Sequence, residues 1–212
     1  MRDQKTFVPP NNKGFSIPEL VVSIAIIGIM TAVGAYSYLD FRDRTMLDDV
    51  VTTIVLDLKQ AQSQGVASVE NPRYAKRFNI PVGVHFDIAG SSTEYRIFTD
   101  NPTNGANNVG FYDGVGGDCL ADPGGECLEI IALPDRFRIS ELCGTDFAGT
   151  ENCFNADTFP DVLSVSYVRP NLDARILRTA VDVLDSAKIT IRSARDRSAT
   201  IVVTRAGLIY IE

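Results

Sequence analysis

Histidine occurs once in this 212-residue chain, at position 85, and tryptophan does not occur at all. A single imidazole with no G-x-S-x-G, H-E-x-x-H or P-loop pattern leaves no nucleophilic triad, zinc-hydrolase helix or nucleotide cradle to build on. His85 is therefore expected on the polar face of a strand or in a local hydrogen bond, and the chain reads as non-enzymatic, with no cofactor and no bound metal. Positive charge is also scarce. The 20 Lys and Arg stand against 27 Asp and Glu, a formal net charge of -7, which gives no general attraction for nucleic acid or anionic lipid. The four cysteines, Cys119, Cys127, Cys143 and Cys153, contain no C-x2-C pair, so a zinc site is not indicated. Separated by 7, 15 and 9 residues, they read instead as two disulfides of an exported chain, with three pairings open. Internal repeats and a second domain are lacking too, and the length suits one ordinary domain with an appendage.

What the chain does have is a long greasy run. From Leu20 to Leu39 there are 20 residues without a charge, enough for a helix to cross about 30 Å of hydrocarbon. Arg2, Lys5 and Lys13 precede it and Arg42 and Arg44 follow it, so the charge asymmetry is slight. A secretory signal has a shorter apolar core that ends in a small-residue cleavage site. Here the small residue, Gly14, lies ahead of the run. Glu19 at the head of the run is costly in lipid unless a positive group meets it, and cleavage between Gly14 and Phe15 would create one, an α-amino group one helical turn upstream.

Lys13, Gly14, Phe15 and Glu19 together resemble the processing signature of type IV pilins and type II secretion pseudopilins. The resemblance implies a leader of residues 1–14, removed by a prepilin peptidase that also methylates Phe15. It implies too that Glu19 meets the amino terminus of a neighbouring subunit during assembly. Pro18 stands where many relatives carry a bulky aliphatic; in the first helical turn it removes no intrahelical hydrogen bond. Implied partners are other pilin or pseudopilin subunits, the peptidase, the inner-membrane assembly platform and, before assembly, membrane lipid. The expected location is the inner membrane, single-pass, with the head in the periplasm or outside, and then the pilus or pseudopilus fibre.

After Leu39 the pattern becomes one-sided: Leu47, Val50, Val51, Ile54, Leu58 and Ala61 recur at helical spacing, while Asp43, Asp48, Asp49, Asp57 and Lys59 occupy other faces. The expectation is a membrane and assembly helix over 15–39 that continues as an amphipathic helix over 40–70, ended by Asn71-Pro72. A head of residues 71–212 follows, with short strands at 82–88, 95–98, 128–133, 137–140, 163–168, 189–192, 200–204 and 208–211. The fold class is α+β and pilin-like: a long amino-terminal helix packed on a mainly antiparallel β-rich head. The runs VGVHFD, YRIFTDN and ATIVVTRAGLIYI resemble the GspH/FimT branch of minor pilins and pseudopilins, which implies a low-abundance subunit.

Two further clusters are weighed. Asp113, Asp118, Asp122 and Glu126 lie in a glycine-rich segment, but their spacing is not that of an EF-hand, so a solvated acidic loop is expected over a calcium site. Arg192, Arg195 and Arg197 could contact phosphates, as DNA-binding members of the FimT-like group do; Asp196 dilutes the cluster, and a solvated hairpin tip is the default.

Overall fold

Between Gly34 and Gly65 the sequence has neither glycine nor proline, and the computed structural model carries a single helix, α1, over Ile17–Val66. The structure describes residues 14, 16–67, 80–100, 110–112, 114, 119, 126–154, 162–168, 170, 173–179 and 182–212. It divides into two compact units, Met1–Arg42 and Asp43–Glu212. In the first, no residue from 17 to 42 is buried. Two of its hydroxyls bond back to the helix itself: Ser23 donates to the Glu19 carbonyl at 2.8 Å and Thr31 to that of Ile27 at 2.7 Å.

In the second unit the same helix buries one stripe, Asp43, Leu47, Val50, Val51, Ile54, Val55, Leu58, Ala61 and Gly65, at steps that return to one face every turn. Eleven strands among the described residues make two antiparallel sheets. One holds β1 (Val82–Asp87), β2 (Glu94–Thr99), β3 (Cys127–Ala132), β6 (Val162–Tyr167), β7 (Ala174–Leu177) and β8 (Val183–Leu184) in the order β3-β2-β1-β6-β7-β8. The other holds β4 (Phe137–Thr145), β5 (Glu151–Phe154), β9 (Ser186–Ser193), β10 (Ser198–Thr204) and β11 (Ile209–Ile211) in the order β11-β10-β9-β4-β5. Val84, Phe86, Val165 and Tyr167 of the first sheet and Ile139, Ile189, Ile191 and Ile201 of the second join the α1 stripe in one apolar cluster. The architecture is α+β: one long helix whose second part packs on antiparallel sheets. Gly65 lets helix and sheet meet, because a Cβ there would run into the Tyr167 backbone carbonyl.

The structure corrects four expectations. Each of the eight runs read as strands coincides with a strand, though Ile88, Leu133, Val168 and Leu208 fall one residue outside; β5, β7 and β8 were not anticipated and β4 continues to Thr145. The helix ends at Val66, ahead of Asn71-Pro72, which lie outside the described residues. Asp43 is buried and Asp57 half-buried; both carboxylates find hydroxyl donors, Asp43 from Ser193 at 2.9 Å and Asp57 from Tyr95. Finally, β1 is buried on both faces. Gly83 and His85 point away from α1 toward a smaller cluster of Phe98, Tyr112, Cys119 and Cys127 that covers the outer side of the sheet.

Candidate processing and assembly site

Ser16, Ile17, Pro18 and Glu19 open α1. The Ser16 carbonyl accepts from the N–H groups of Glu19 at 3.0 Å and Leu20 at 3.1 Å, so Ser16 is the cap and Glu19 the third helical residue. This S-x-x-E order is a helix-start signal that was legible in the sequence and went unread. Pro18 sits where its missing N–H removes no bond. The Glu19 carboxylate is exposed in the first turn, beside the positive end of the helix dipole. Among the described residues it has neither a hydrogen-bond donor nor a cation as partner. Gly14 is exposed, and an added Cβ would meet nothing within 4 Å, so nothing in the described chain itself demands glycine there. Phe15 lies outside the described residues.

Downstream of this acid the apolar side chains face outward on every side of the helix. Ile27 is 63% exposed, Met30 72% and Tyr36 78%, and α1 is long and apolar enough to cross a membrane. A helix apolar all round is stable only when something covers it. Residues 9–35 match the family described as the prokaryotic N-terminal methylation motif.

That motif marks a type IV pilin-like protein.

Comparison with curated proteins and with solved structures gives no match for the chain. The motif is one of structural subunits that assemble with other pilin subunits after prepilin-peptidase processing, and the apolar helix fits membrane anchoring followed by a place in a fibre.

In the pilin-like head, Cys119 pairs with Cys127 and Cys143 with Cys153. The second pair joins directly opposed residues of β4 and β5 and clips the edge strand to its sheet. Glu126 is buried, with a fractional exposure of 1%, and its carbonyl accepts from Thr99 N–H at 2.9 Å; it is not part of a solvated loop, and Asp113, Asp118 and Asp122 lie outside the described residues.

His85 does not lie on a solvated face. Its Nδ1 is 2.8 Å from the Ser164 hydroxyl, and its ring centroid is 4.8 Å from that of Tyr112. Burial, aided by the Arg96 charge, lowers its pKa to about 3, so it stays neutral at ordinary pH and acts as a packed polar residue of the sheet. The local hydrogen bond was foreseen; the cover over that face was not.

Of the three singled-out arginines, Arg192 pairs with Asp196 at 3.3 Å, Arg195 is exposed at the β9–β10 turn and Arg197 is half-buried. Asp196 holds that turn with a φ of 66°. The structure brings Arg192 together instead with Arg136 and Arg138, which sequence reading passed over. Their signal was the alternation Arg136-Phe137-Arg138-Ile139, which puts both arginines on the face opposite Phe137 and Ile139.

Proposed function

We propose that this type IV pilin-like chain is a minor pilin or pseudopilin of the GspH/FimT-like kind. In this reading residues 1–14 are a leader cut after Gly14, Phe15 is methylated, residues 15–39 are the membrane and assembly helix, residues 40–70 pack on the head, and residues 71–212 form the head. The subunit waits in the inner membrane as a single-pass protein with its head on the periplasmic side. The assembly platform then draws it into a pilus or a type II secretion pseudopilus. Outside lipid, each apolar side chain left in water costs about 25 cal/mol per Å2, so the helix must be covered by equivalent helices. Glu19 supplies direction: its carboxylate meets the methylated α-ammonium of Phe15 on a neighbour and is neutralised only once the register is right.

The observation that carries this reading is the match over residues 9–35, which takes in the exposed Gly14 and an unpartnered acid in the first turn of an uncovered apolar helix. Small residues at Gly28 and Gly34, where an added Cβ would meet nothing within 4 Å, leave room for a neighbouring helix to approach. DNA capture through Arg192, Arg195 and Arg197 is the competing reading, and the pairing of Arg192 with Asp196 weighs against it.

The test is intact-mass measurement of the chain made with an active prepilin peptidase, together with fibre incorporation of Glu19→Ala. A chain that begins at methylated Phe15, and a variant that is processed but fails to enter fibres, are expected. Retention of residues 1–14, or undiminished incorporation of the variant, would overturn the reading.

A further inference from the structure

The sheet that ends in β11 has an apolar row that is left open at its last member. Leu142 on β4 stands opposite Ile189 on β9, Ile189 opposite Ile201 on β10, and Ile201 opposite Ile211 on β11, so the four side chains share one face. Leu142, Ile189 and Ile201 are at most 2% exposed, whereas Ile211 is 49% exposed. Beside it Tyr210 is 50% exposed and Leu208 63%. The main chain is open in the same place. Glu212 N–H donates to the Thr200 carbonyl at 2.9 Å and Thr204 N–H to that of Leu208 at 3.0 Å, so Leu208, Tyr210 and Glu212 turn their main-chain groups to β10. The N–H and C=O groups of Ile209 and Ile211 therefore point outward, and nothing among the described residues meets them.

The other sheet edges are guarded. β8 is two residues long, β3 carries the exposed Glu129, and β5 carries Glu151, which pairs with Lys188 at 2.9 Å. Very short strands and edge charges are common defences against pairing with another chain. β11 carries neither charge nor proline. Its turn is also held in place: Gln62 Nε2 donates to the Gly207 carbonyl at 3.1 Å and Ala174 N–H to that of Arg205 at 2.8 Å. An apolar strand with fixed, outward-facing donors and acceptors is built to receive another strand.

The ends of the edge identify that strand. Arg205 lies in the turn that opens β11, its ion pair with Asp185 stretched to 3.9 Å, and Glu212 follows the last residue of β11. An antiparallel copy of the same strand brings each Glu212 to the Arg205 end of the other, whereas a parallel copy brings like charges together. We propose that two copies of this chain pair through β11, antiparallel about a twofold axis, and join their sheets into one. Ile209 then exchanges main-chain bonds with Ile211 of the second copy, Ile211 does so with Ile209, and Tyr210 faces Tyr210 across the axis. The open apolar row is continued from one head into the next. The pairing concerns the head alone and stands whether or not the chain is trimmed after Gly14.

The experiment uses disulfide trapping of the full-length protein in detergent micelles, read on a non-reducing gel after mild oxidation. All four native cysteines are bonded, so an introduced thiol is the free one. In the proposed register the two Tyr210 Cα atoms lie about 4.5 Å apart, within disulfide reach, while the two Leu208 positions are offset by about 14 Å along the strands. Tyr210→Cys should yield a covalent dimer and Leu208→Cys should stay monomeric. Adding Ile211→Pro to Tyr210→Cys should abolish the dimer with the thermal midpoint of the head unchanged, because that N–H faces away from β10. A monomeric Tyr210→Cys overturns the proposal, as does Leu208→Cys linking equally well, which would mean parallel pairing or chance collision within the micelle. So does an undiminished dimer in the proline variant. If the proline variant fails to fold, the comparison of the two single cysteines decides alone. None of these outcomes depends on peptidase processing, so failure here leaves the subunit reading standing.

Discussion

One helix crosses two regimes at Arg42 and Asp43. Before the boundary none of the described residues is buried and side chains as large as Ile17, Tyr36 and Phe41 face outward; after it, Val51, Ile54 and Leu58 are at most 1% exposed. Glycines of the helix and the sheet core show the same contrast. A Cβ added at Gly14, Gly28 or Gly34 would meet nothing within 4 Å, whereas at Gly83 it would come within 2.5 Å of the Val165 carbonyl and at Gly65 it would overlap the Tyr167 backbone. The contrast teaches that residue choice in the head answers to the chain's own packing, while residue choice in the first unit answers to surroundings the chain does not supply.

The sharpest way to break that contrast is a pair of truncations. Leu58→Ala should destabilise the head by about 2–5 kcal/mol in denaturant unfolding. Ile27→Ala, 63% exposed in the isolated chain, should leave the same transition unmoved and lower fibre yield instead. Equal effects on head unfolding would erase the boundary. A smaller change is expected from replacing both Cys143 and Cys153 with alanine. The bond spans 10 residues, and losing such a loop closure costs about 2–3 kcal/mol, read as a lower midpoint under oxidising conditions with the helicity of the first unit unaltered.

The finest probe is acid. The pKa of His85 in the fold, about 3, lies below its ordinary 6.5, so the unfolded chain binds the extra proton. The stability that neutral His85 contributes is complete above pH 6.5 and is lost as pH falls toward 3, with a slope of up to about 1.4 kcal/mol per pH unit. Comparison with His85→Gln between pH 6.5 and 5, before most carboxylates titrate, isolates it. A variant with the same slope as the parent would mean that His85 is open to water.

Much of this was legible in the residues. The absence of helix breakers between Gly34 and Gly65 carried the continuous helix, and alternating apolar residues carried the eight anticipated strands. The elements that escaped lack that alternation: β5 is an exposed edge, and β7 and β8 are four and two residues long, held by neighbours more than by pattern. The hydrogen bond of His85 was expected but its burial was not, because period two says which residues share a face, not whether a later segment covers it. Tyr112 and the Cys119–Cys127 pair come from such a segment. The opposition of Arg138 and Arg192 depends on strand register, with a bulge between Ile139 and Glu141 along the same ladder, and no local pattern encodes that. Glu19 and Gly14 needed no tertiary information, since their meaning lies in what acts on the chain from outside.

The buried stripe from Leu47 to Gly65 also has a mechanical meaning. A pull along the helix axis loads its knobs side by side against the sheets, in shear, so they must slip together rather than open one after another. With hydroxyl bonds to Asp43 and Asp57 pinning the same face, the head resists tension along that axis better than its modest size would suggest.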